Sequence, residues 1–250
     1  MEPVKTRAVP IRITPYAETD LIVSLFTESA GKVAVMARAA KKSRRRFGGS
    51  LELLGLADVV YARSARGGSL PVLSESVQLE AFEGIRRDVL RFALASLWAE
   101  ILDKWLPEGE CAEAVFTLFT GSLGALSQKP AEELSIVHAG FLVRFLALAG
   151  MRPRLDACVK CGVRLPENAT RTGFDLQAGG IVCRACGGAS REVRAEALRF
   201  LDFASKTEPC SENAGCPEPA LSQAVEIMET FVSHHLCEKL NSLAFLRKLR

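Results

Sequence analysis

The sequence predicts an α+β multi-domain protein in which a small N-terminal β-barrel is followed by an α-helical domain with an inserted four-cysteine module. Strand periodicity dominates residues 6–79, and helical periodicity begins after Gly84. The segment from Cys158 to Gly188 is rich in glycine and has little helical pattern. A length of 250 residues fits two domains better than one. We therefore predict domains at residues 1–79 and 80–250, with the cysteine module at 155–190.

Five short strands are predicted in the barrel region, separated by turn signals such as Pro15 and Gly67-Gly68. They cover Thr6–Thr14, Leu21–Thr27, Lys32–Ala37, Leu53–Ala62 and Leu70–Val77. Five strands within about 75 residues indicate a small closed or partly closed barrel. Periodicity alone leaves an SH3-like barrel or a small sandwich open.

Beyond Gly84, apolar residues recur at helical spacing. The predicted helices cover Ile85–Trp105, Ala112–Leu126, Pro130–Ala149, Val193–Ser205 and Leu221–Leu240. Pro107 and Gly109 end the first of them, and Pro130 suits the first turn of the third. His138 lies in an apolar helix, so it is interpreted as a core residue.

The composition, 48% hydrophobic and 24% charged, excludes disordered, collagen-like and fibrous chains. Apolar stretches such as Phe92–Trp98 are far shorter than the roughly 20 residues that a membrane span needs. The first twelve residues contain no apolar run typical of a secretory signal. We therefore expect a cytoplasmic protein that does not enter the membrane.

Four of the eight cysteines form two CxxC hooks, Cys158-x-x-Cys161 and Cys183-x-x-Cys186, which are separated by 21 residues. This spacing is typical of a tetrahedral four-cysteine zinc site. With all four positions filled by sulfur, no position remains for water, which favours one structural Zn2+. The alternatives are four unrelated thiols or a redox CxxC pair, but the βαβ pattern that would accompany a redox pair is missing. The remaining cysteines show no such order: Cys111, Cys210, Cys216 and Cys237.

A run of basic residues lies between the third and fourth predicted strands. Six of the nine residues from 38 to 46 are basic, and an aromatic residue and two glycines follow. Such a loop can follow several phosphates while Phe47 offers a stacking face, a combination that OB-folds use on single strands. The alternative is a solvated loop that serves solubility. The candidate DNA-binding residues are Arg38, Lys41, Lys42, Arg44, Arg45, Arg46 and Phe47.

Charge asymmetry points in the same direction. Residues 1–79 carry 12 Lys/Arg and 7 Asp/Glu, whereas the remainder carries 20 and 22. A basic excess confined to the N-terminal third indicates nucleic acid or another anionic surface.

Signatures of enzymes are missing: the sequence contains no P-loop, no dinucleotide-binding glycine motif, no HExxH and no zinc-deaminase pattern. A second metal site could combine His234 and His235 with Cys210, Cys216 and Cys237. This spacing matches no standard pattern, so free thiols are the default interpretation. We therefore expect no catalytic residues.

Several short motifs, in this order, resemble those of the bacterial recombination mediator family RecO. They are Pro15-Tyr16-Ala17-Glu18-Thr19-Asp20, Gly31-Lys32-Val33, Ala37-Arg38-Ala39-Ala40, Arg46-Phe47-Gly48-Gly49, Leu106-Pro107-Glu108-Gly109, Cys158-x-x-Cys161-Gly162 and Gly179-Gly180-Ile181-x-Cys183-x-x-Cys186. The resemblance runs from about residue 3 to residue 186, and the helical tail fits in length and pattern only. Cys210 and Cys216 belong to no motif of that family.

The resemblance implies an N-terminal OB-fold, a helical domain, a zinc module and a role in RecF-type recombinational repair. Members of this family bind single- and double-stranded DNA, anneal complementary strands, and associate with RecR and with single-stranded-DNA-binding protein. With RecR they help RecA to load onto coated strands, so RecA is an indirect partner. A non-enzymatic, nucleoid-associated protein of the bacterial cytoplasm is therefore expected.

Two other classes stay open. The first is a zinc-containing protein-interaction adaptor that does not bind DNA directly and in which the charge of the barrel is incidental. The second is a zinc hydrolase or deaminase, which would require an open metal position and a general base. Salt-dependent binding of oligonucleotides distinguishes a DNA-binding protein from the interaction adaptor. An all-thiolate coordination shell around the metal would exclude the zinc hydrolase or deaminase.

Overall fold

The computed structural model describes residues 3–47, 51–62, 69–187, 191–207, 215–236 and 239–249. The chain forms two compact units, one of residues 1–128 with 240–250 and one of residues 129–239. Residues 80–128 thus belong to the same compact unit as the barrel. The domain division predicted at residues 79 and 80 stays a prediction.

Five strands close into the predicted barrel in the order β1-β2-β3-β5-β4. The strands are β1 (Val4–Tyr16), β2 (Asp20–Thr27), β3 (Gly31–Ala37), β4 (Leu56–Ala62) and β5 (Val72–Glu80). A short helix, α1 (Arg44–Phe47), lies between β3 and β4. Closure of β3 onto β5 is parallel and is recorded at Met36 and Val72, whereas the other strand pairs are antiparallel. This strand order, with its helix after β3, is OB-like and confirms the predicted fold class.

The barrel interior is filled by side chains that alternate inward along the strands, as a half-buried strand requires. The buried cluster consists of Ala8, Val23, Leu25, Val35, Ala37, Phe47, Ala57, Val59, Tyr61 and Leu73. Strand β1 is irregular between Pro10 and Arg12, where its register to β2 shifts. Phe26 is fully buried, as its place in an apolar strand predicts, and the centroid of its ring lies 5.5 Å from that of Phe116.

The first helical segment of the sequence is two helices, α2 (Glu83–Arg87) and α3 (Val89–Trp105), which are followed by α4 (Glu113–Gln128). Asp88 explains the break. Its carboxylate accepts hydrogen bonds from the amides of Leu90 and Arg91, at 2.8 and 3.0 Å, and so caps α3. The apolar periodicity continues through this cap, which is why one helix was predicted.

Two of the sequence motifs contact each other in this unit. The amide of Gly109 donates to the carbonyl of Lys32 at 3.0 Å, and the ammonium of Lys32 donates to the carbonyl of Asp103. Gly31 has φ +62°, and a Cβ on it would lie 1.8 Å from the carbonyl oxygen of Glu110. Glycine is therefore required here by both the backbone conformation and the space.

The second unit packs α5 (Leu134–Leu148), α6 (Ala195–Lys206) and α7 (Glu218–Leu236) together, with a 3-10 turn at Ala131–Glu133 before α5. His138 is fully buried, as expected for a core residue, and its Nε2 lies 3.1 Å from Oε1 of Glu229 on α7. A buried polar ring of this kind requires such a partner.

A small antiparallel sheet of order β7-β6-β8 completes the second unit and was not predicted. Its strands are β6 (Arg171–Asp175), β7 (Gly180–Val182) and β8 (Arg191–Arg194). Strand β8 occupies the start of the helix predicted at Val193–Ser205. All three strands are too short to show strand periodicity in the sequence.

The C-terminal residues form α8 (Asn241–Leu249), which packs on α3. Glu100 accepts from the amides of Asn241 and Ser242 at 2.9 and 2.7 Å and thus satisfies two of the free N–H groups at the start of α8. Helix α8 was not predicted, and α7 ends before the predicted limit at Leu240. No helix in the described ranges combines the length and apolarity of a membrane span.

Candidate metal centre and nucleic-acid interface

The four predicted zinc ligands come together in the second unit. The Sγ atoms of Cys158, Cys161, Cys183 and Cys186 all lie within 4.8 Å of one another, and those of Cys161 and Cys183 are 3.6 Å apart. Four sulfurs about 2.3 Å from a tetrahedral ion would be about 3.8 Å apart. Within the ranges that the structure describes, this is the one group of three or more potential metal ligands. The cluster therefore has the size and donor set that a metal ion needs.

Backbone hydrogen bonds shape both hooks. Gly162 follows the first hook with φ +75°, and its amide donates to the carbonyl of Cys158 at 2.9 Å. Gly187 follows the second with φ +44°, and its amide donates to the carbonyl of Cys183 at 3.3 Å. Each chain reversal thus uses a left-handed residue, which glycine adopts without a steric cost.

The sheet positions the hooks relative to each other. The amide of Val159 donates to the carbonyl of Ile181 on β7 at 2.8 Å, and Cys183 directly follows that strand. A Cβ on Gly180 would lie 2.4 Å from the carbonyl oxygen of Arg154, because the segment before the first hook runs closely along β7. The two hooks are therefore joined by backbone contacts as well as by their sulfurs.

The backbone also favours a thiolate at Cys158. Its Sγ accepts from the amide of Cys183 at 3.3 Å, and with further amides of the first hook this lowers the pKa of Cys158 to about 6. Hydrogen bonds to the neighbouring sulfurs of Cys161 and Cys183 raise the pKa of Cys186 to about 12. Four sulfurs so close together cannot all carry charge unless a cation is bound, because like charges oppose ionisation. The chemistry of the cluster thus suits a divalent ion.

Among the described residues, the other possible metal ligands form no such cluster. The His235 ring packs against Phe231, with centroids 4.1 Å apart, and burial raises the pKa of the Cys216 thiol to about 11. Cys210 and Cys237 lie outside the described residues.

A groove of about 680 Å³ runs beside the cysteine module. Arg164, Arg171 and Arg184 are among its lining residues, together with the metal-ligand candidate Cys183. Arg171 pairs with Glu192 at 2.9 Å. The groove is a basic surface of the second unit.

The basic run begins where β3 ends. Arg38, Lys41 and Lys42 have exposed side chains in the turn between β3 and α1. Arg46 is exposed too, but its guanidinium donates to the carbonyl of Arg38 at 2.8 Å and to the hydroxyl of Ser43 at 3.2 Å. It therefore also holds the turn. The side chains of Arg44 and Arg45 lie outside the described residues. So do Gly48 and Gly49, whose adjacency predicts at least one residue with φ > 0.

The expectation that Phe47 offers a stacking face is wrong. Its ring is only 3% exposed and belongs to the buried cluster inside the barrel, with the Arg46 guanidinium 5.1 Å from the ring centre. An isolated aromatic residue after a charged run gives no indication of its direction. Because α1 turns back onto the barrel, the ring points into the core. The ring that is exposed in this region is Tyr16, 52% accessible at the end of β1.

Asp20 was not among the predicted site residues, although it belongs to the motif Pro15–Asp20. Its Oδ1 accepts hydrogen bonds from the Ala39 amide at 2.8 Å and from the Thr19 hydroxyl at 3.1 Å. The Ala39 hydrogen bond is the main cause that lowers the pKa of Asp20 below its usual value. The signal available in the sequence was an acidic residue directly after a turn, because the basic run that it contacts begins 18 residues later, at Arg38.

Fold and site together define a class of protein: an OB-like barrel with a basic turn, joined to a helical unit that contains a four-cysteine centre. The family models for the N-terminal and C-terminal parts of recombination protein O match residues 1–82 and 86–244. The chain therefore belongs to the RecO family of DNA repair proteins.

Similar proteins named DNA repair protein RecO cover almost the full length. The chain is 39% identical to the one from Desulfatibacillum aliphaticivorans, with 100% of this chain and 98% of the relative covered. It is 35% identical to the one from Geobacter metallireducens, over 100% and 99% of the two chains. With the relative from Desulfosudis oleivorans the identity is 32%, over 97% and 96%.

Proposed function

We propose that the protein is a DNA-binding mediator of RecF-type recombinational repair, which anneals complementary strands. With RecR it would help RecA to load onto single strands coated with their binding protein. The support is membership of the RecO family, together with the exposed basic turn on an OB-like barrel. The mechanism needs no covalent step, so we propose a protein without enzymatic activity.

The observation that carries the proposal is the exposure of Arg38, Lys41 and Lys42 on one short turn of the barrel. Exposed cations close together on one turn attract the phosphates of single-stranded and double-stranded DNA alike, without reading the base sequence. The turn lies beside the β1–β2 connection, which in OB-folds is one of the loops that bind oligonucleotides. We propose Arg44, Arg45 and Arg46 as further contacts of the same surface.

Annealing follows from the same charges. Two complementary strands repel each other through their phosphates, and a basic surface that neutralises part of this charge lets the bases pair. Binding should therefore be independent of sequence, because backbone contacts carry no base information.

We propose that the cysteine centre holds one structural Zn2+ bound by Cys158, Cys161, Cys183 and Cys186. Zinc bound by four thiolates has no open position for water, so it stabilises the fold and does not activate a substrate. The size of the cluster and its all-sulfur donor set support this ion.

The test is a fluorescence titration of labelled single-stranded oligonucleotides at several salt concentrations. Replacing Arg38, Lys41 and Lys42 together with Ala should flatten the log–log salt slope by about 2, because each phosphate contact on a single strand contributes roughly 0.7. Affinity should fall equally for oligonucleotides of different sequence.

A matched variant removes the same number of charges elsewhere, by replacing Arg164, Arg171 and Arg184 with Ala. We expect its salt slope to stay within about 0.7 of the parent value. If only this second variant loses slope, the DNA site lies on the groove beside the cysteine module. If the parent shows no salt-dependent binding, the protein is a zinc-containing interaction adaptor.

The partners are proposed from the family. RecR and single-stranded-DNA-binding protein should each co-elute with the purified chain, and RecA should respond only when they are present. The nucleoid-associated, cytoplasmic location also stays a prediction, which fluorescence microscopy of a tagged chain can check.

A further inference from the structure

We propose that Asp20 is a positioning residue for the basic turn. Its carboxylate fixes the backbone from which Arg38, Lys41 and Lys42 reach phosphate. The inference rests on the proposed DNA binding. It assigns to an acidic residue the role of strengthening the binding of DNA, which is itself an anion. Simple charge counting predicts the opposite effect.

Hydrogen bonds around Asp20 join two turns that are distant in sequence. Oδ1 of Asp20 accepts from the amide of Ala39 at 2.8 Å, and the amide of Lys41 donates to the carbonyl of Thr19 at 3.1 Å. The ammonium of Lys41 also lies 3.4 Å from the carbonyl oxygen of Ala17. The β1–β2 turn and the turn after β3 are thus held together at three points.

Both turns contain an alanine in the left-handed region. Ala17 has φ +51° and Ala39 has φ +53°. A residue with a Cβ is disfavoured there and stays in this conformation only when its surroundings impose it. The Asp20 carboxylate imposes it at Ala39, because its oxygen accepts from the amide of that residue. Without this acceptor, we expect the turn to relax.

Charge alone gives the opposite prediction. Asp20 lies close enough to Arg38 and Lys41 for their charges to act on its carboxylate. A negative charge beside a phosphate-binding turn weakens attraction of DNA, so removing it should tighten binding. The two roles of Asp20 therefore change DNA affinity in opposite directions.

Two conservative variants separate these roles. Asp20→Asn keeps an acceptor oxygen at the same place and removes the charge. Asp20→Glu keeps the charge and moves the acceptor by one methylene. Glu18, exposed in the same turn and without a hydrogen bond in the described part of the chain, provides the matched charge control Glu18→Gln.

The measurement is the salt dependence of single-strand binding for these variants and the parent. We expect Asp20→Asn and Glu18→Gln to bind as tightly as the parent or more tightly. We expect Asp20→Glu to bind less tightly, with a salt slope lower by about 0.7 to 1.4, equivalent to one or two lost phosphate contacts. If Asp20→Glu matches the parent while Asp20→Asn and Glu18→Gln tighten equally, Asp20 acts through charge only and the proposal is wrong.

Amide hydrogen exchange makes the test independent of a loss of folding. In Asp20→Glu, residues 39–42 should exchange faster, while β2 and β3 keep the protection of the parent. Unchanged exchange at residues 39–42 would contradict the positioning role. A parent protein that does not bind DNA would instead refute the proposed function, so the two failures are distinguishable.

Discussion

The basic turn of the barrel and the two CxxC hooks of the cysteine module are both tight turns, but different parts of the sequence shape them. In the module, four sulfurs from two local CxxC patterns lie within 4.8 Å of one another, and backbone hydrogen bonds join the two hooks. The turn is held by Asp20 and Thr19, which lie about twenty residues earlier in the chain. A site built on local spacing can be found in a sequence, whereas one built on contacts between distant turns needs the fold.

The largest expected effect is on the module. Replacing Cys158 with Ser should reduce bound metal from one ion per chain towards none, because a buried ligand is lost. Structural zinc contributes on the order of 10 kcal/mol in isolated zinc-binding peptides, so amide protection over residues 157–187 should disappear. Metal analysis and hydrogen exchange measure the two effects.

The control for this variant is Cys111→Ser, which changes an exposed cysteine outside the cluster. It should keep the metal and the protection. Protection of the barrel strands should survive in both variants, because the barrel belongs to the other compact unit. A metal-free Cys158→Ser protein that melts at the temperature of the parent would show that the ion has no structural role.

The second effect concerns Phe47 and tests whether this residue contributes to the stability of the barrel core or to DNA binding. Replacing it with Ala leaves a cavity in the barrel core and should lower the free energy of unfolding by about 3–5 kcal/mol. Among the molecules that stay folded, single-strand and duplex binding should fall by the same factor. A selective loss of single-strand binding at unchanged stability would restore the stacking role.

The third effect tests whether the basic turn, which follows the end of strand β3, depends on the start of that strand at Gly31. Gly31→Ala places a Cβ 1.8 Å from the carbonyl oxygen of Glu110 at φ +62°. The conformation alone costs about 1–2 kcal/mol, and the overlap adds to this, so the melting temperature should fall clearly. Gly109→Ala is the control, since φ is +78° there but nothing lies within 4 Å of the added Cβ.

For both glycine variants the salt slope of DNA binding should equal that of the parent at temperatures where the protein is folded. A lower slope in Gly31→Ala would mean that the basic turn is coupled to the contact between Lys32 and Gly109. That result would show that Asp20 and Thr19 alone do not hold the turn, and that its structure depends on the far end of β3.

Much of the fold could be predicted because long strands and helices show a clear periodicity of apolar residues in the sequence. The five barrel strands and the helices α3 to α5 follow from it, as do the four clustered cysteines from their spacing. The sheet of β6 to β8 could not be predicted, because strands of three to five residues show no period. Helix α8 depends on its contact with α3 and on Glu100 at its start, which are tertiary interactions.

The error at Phe47 and the omission of Asp20 have one common cause. The sequence of a loop gives its charge but not the direction of each side chain. That direction depends on the hydrogen bonds that the backbone of the loop forms. Arg46 shows the same point, because one of the predicted DNA contacts also bonds to the carbonyl of Arg38. The charge of the turn was therefore predictable, and its internal order was not.

The smallest effect concerns Tyr16, the exposed ring beside the basic turn. It ends β1, pairs with Asp20 across the β1–β2 turn, and is 52% accessible. An exposed aromatic ring next to cations can stack on a base, and such a contact is worth about 1–3 kcal/mol. Tyr16→Ala should therefore weaken single-strand binding by this amount and leave duplex binding nearly unchanged, since duplex bases are already stacked on each other.

The salt slope should stay the same because no phosphate contact is lost, which distinguishes this variant from the triple replacement of Arg38, Lys41 and Lys42. Tyr16→Phe keeps the ring and should bind like the parent. Equal losses for single strands and duplex in Tyr16→Ala would show that the residue supports the turn and does not contact bases.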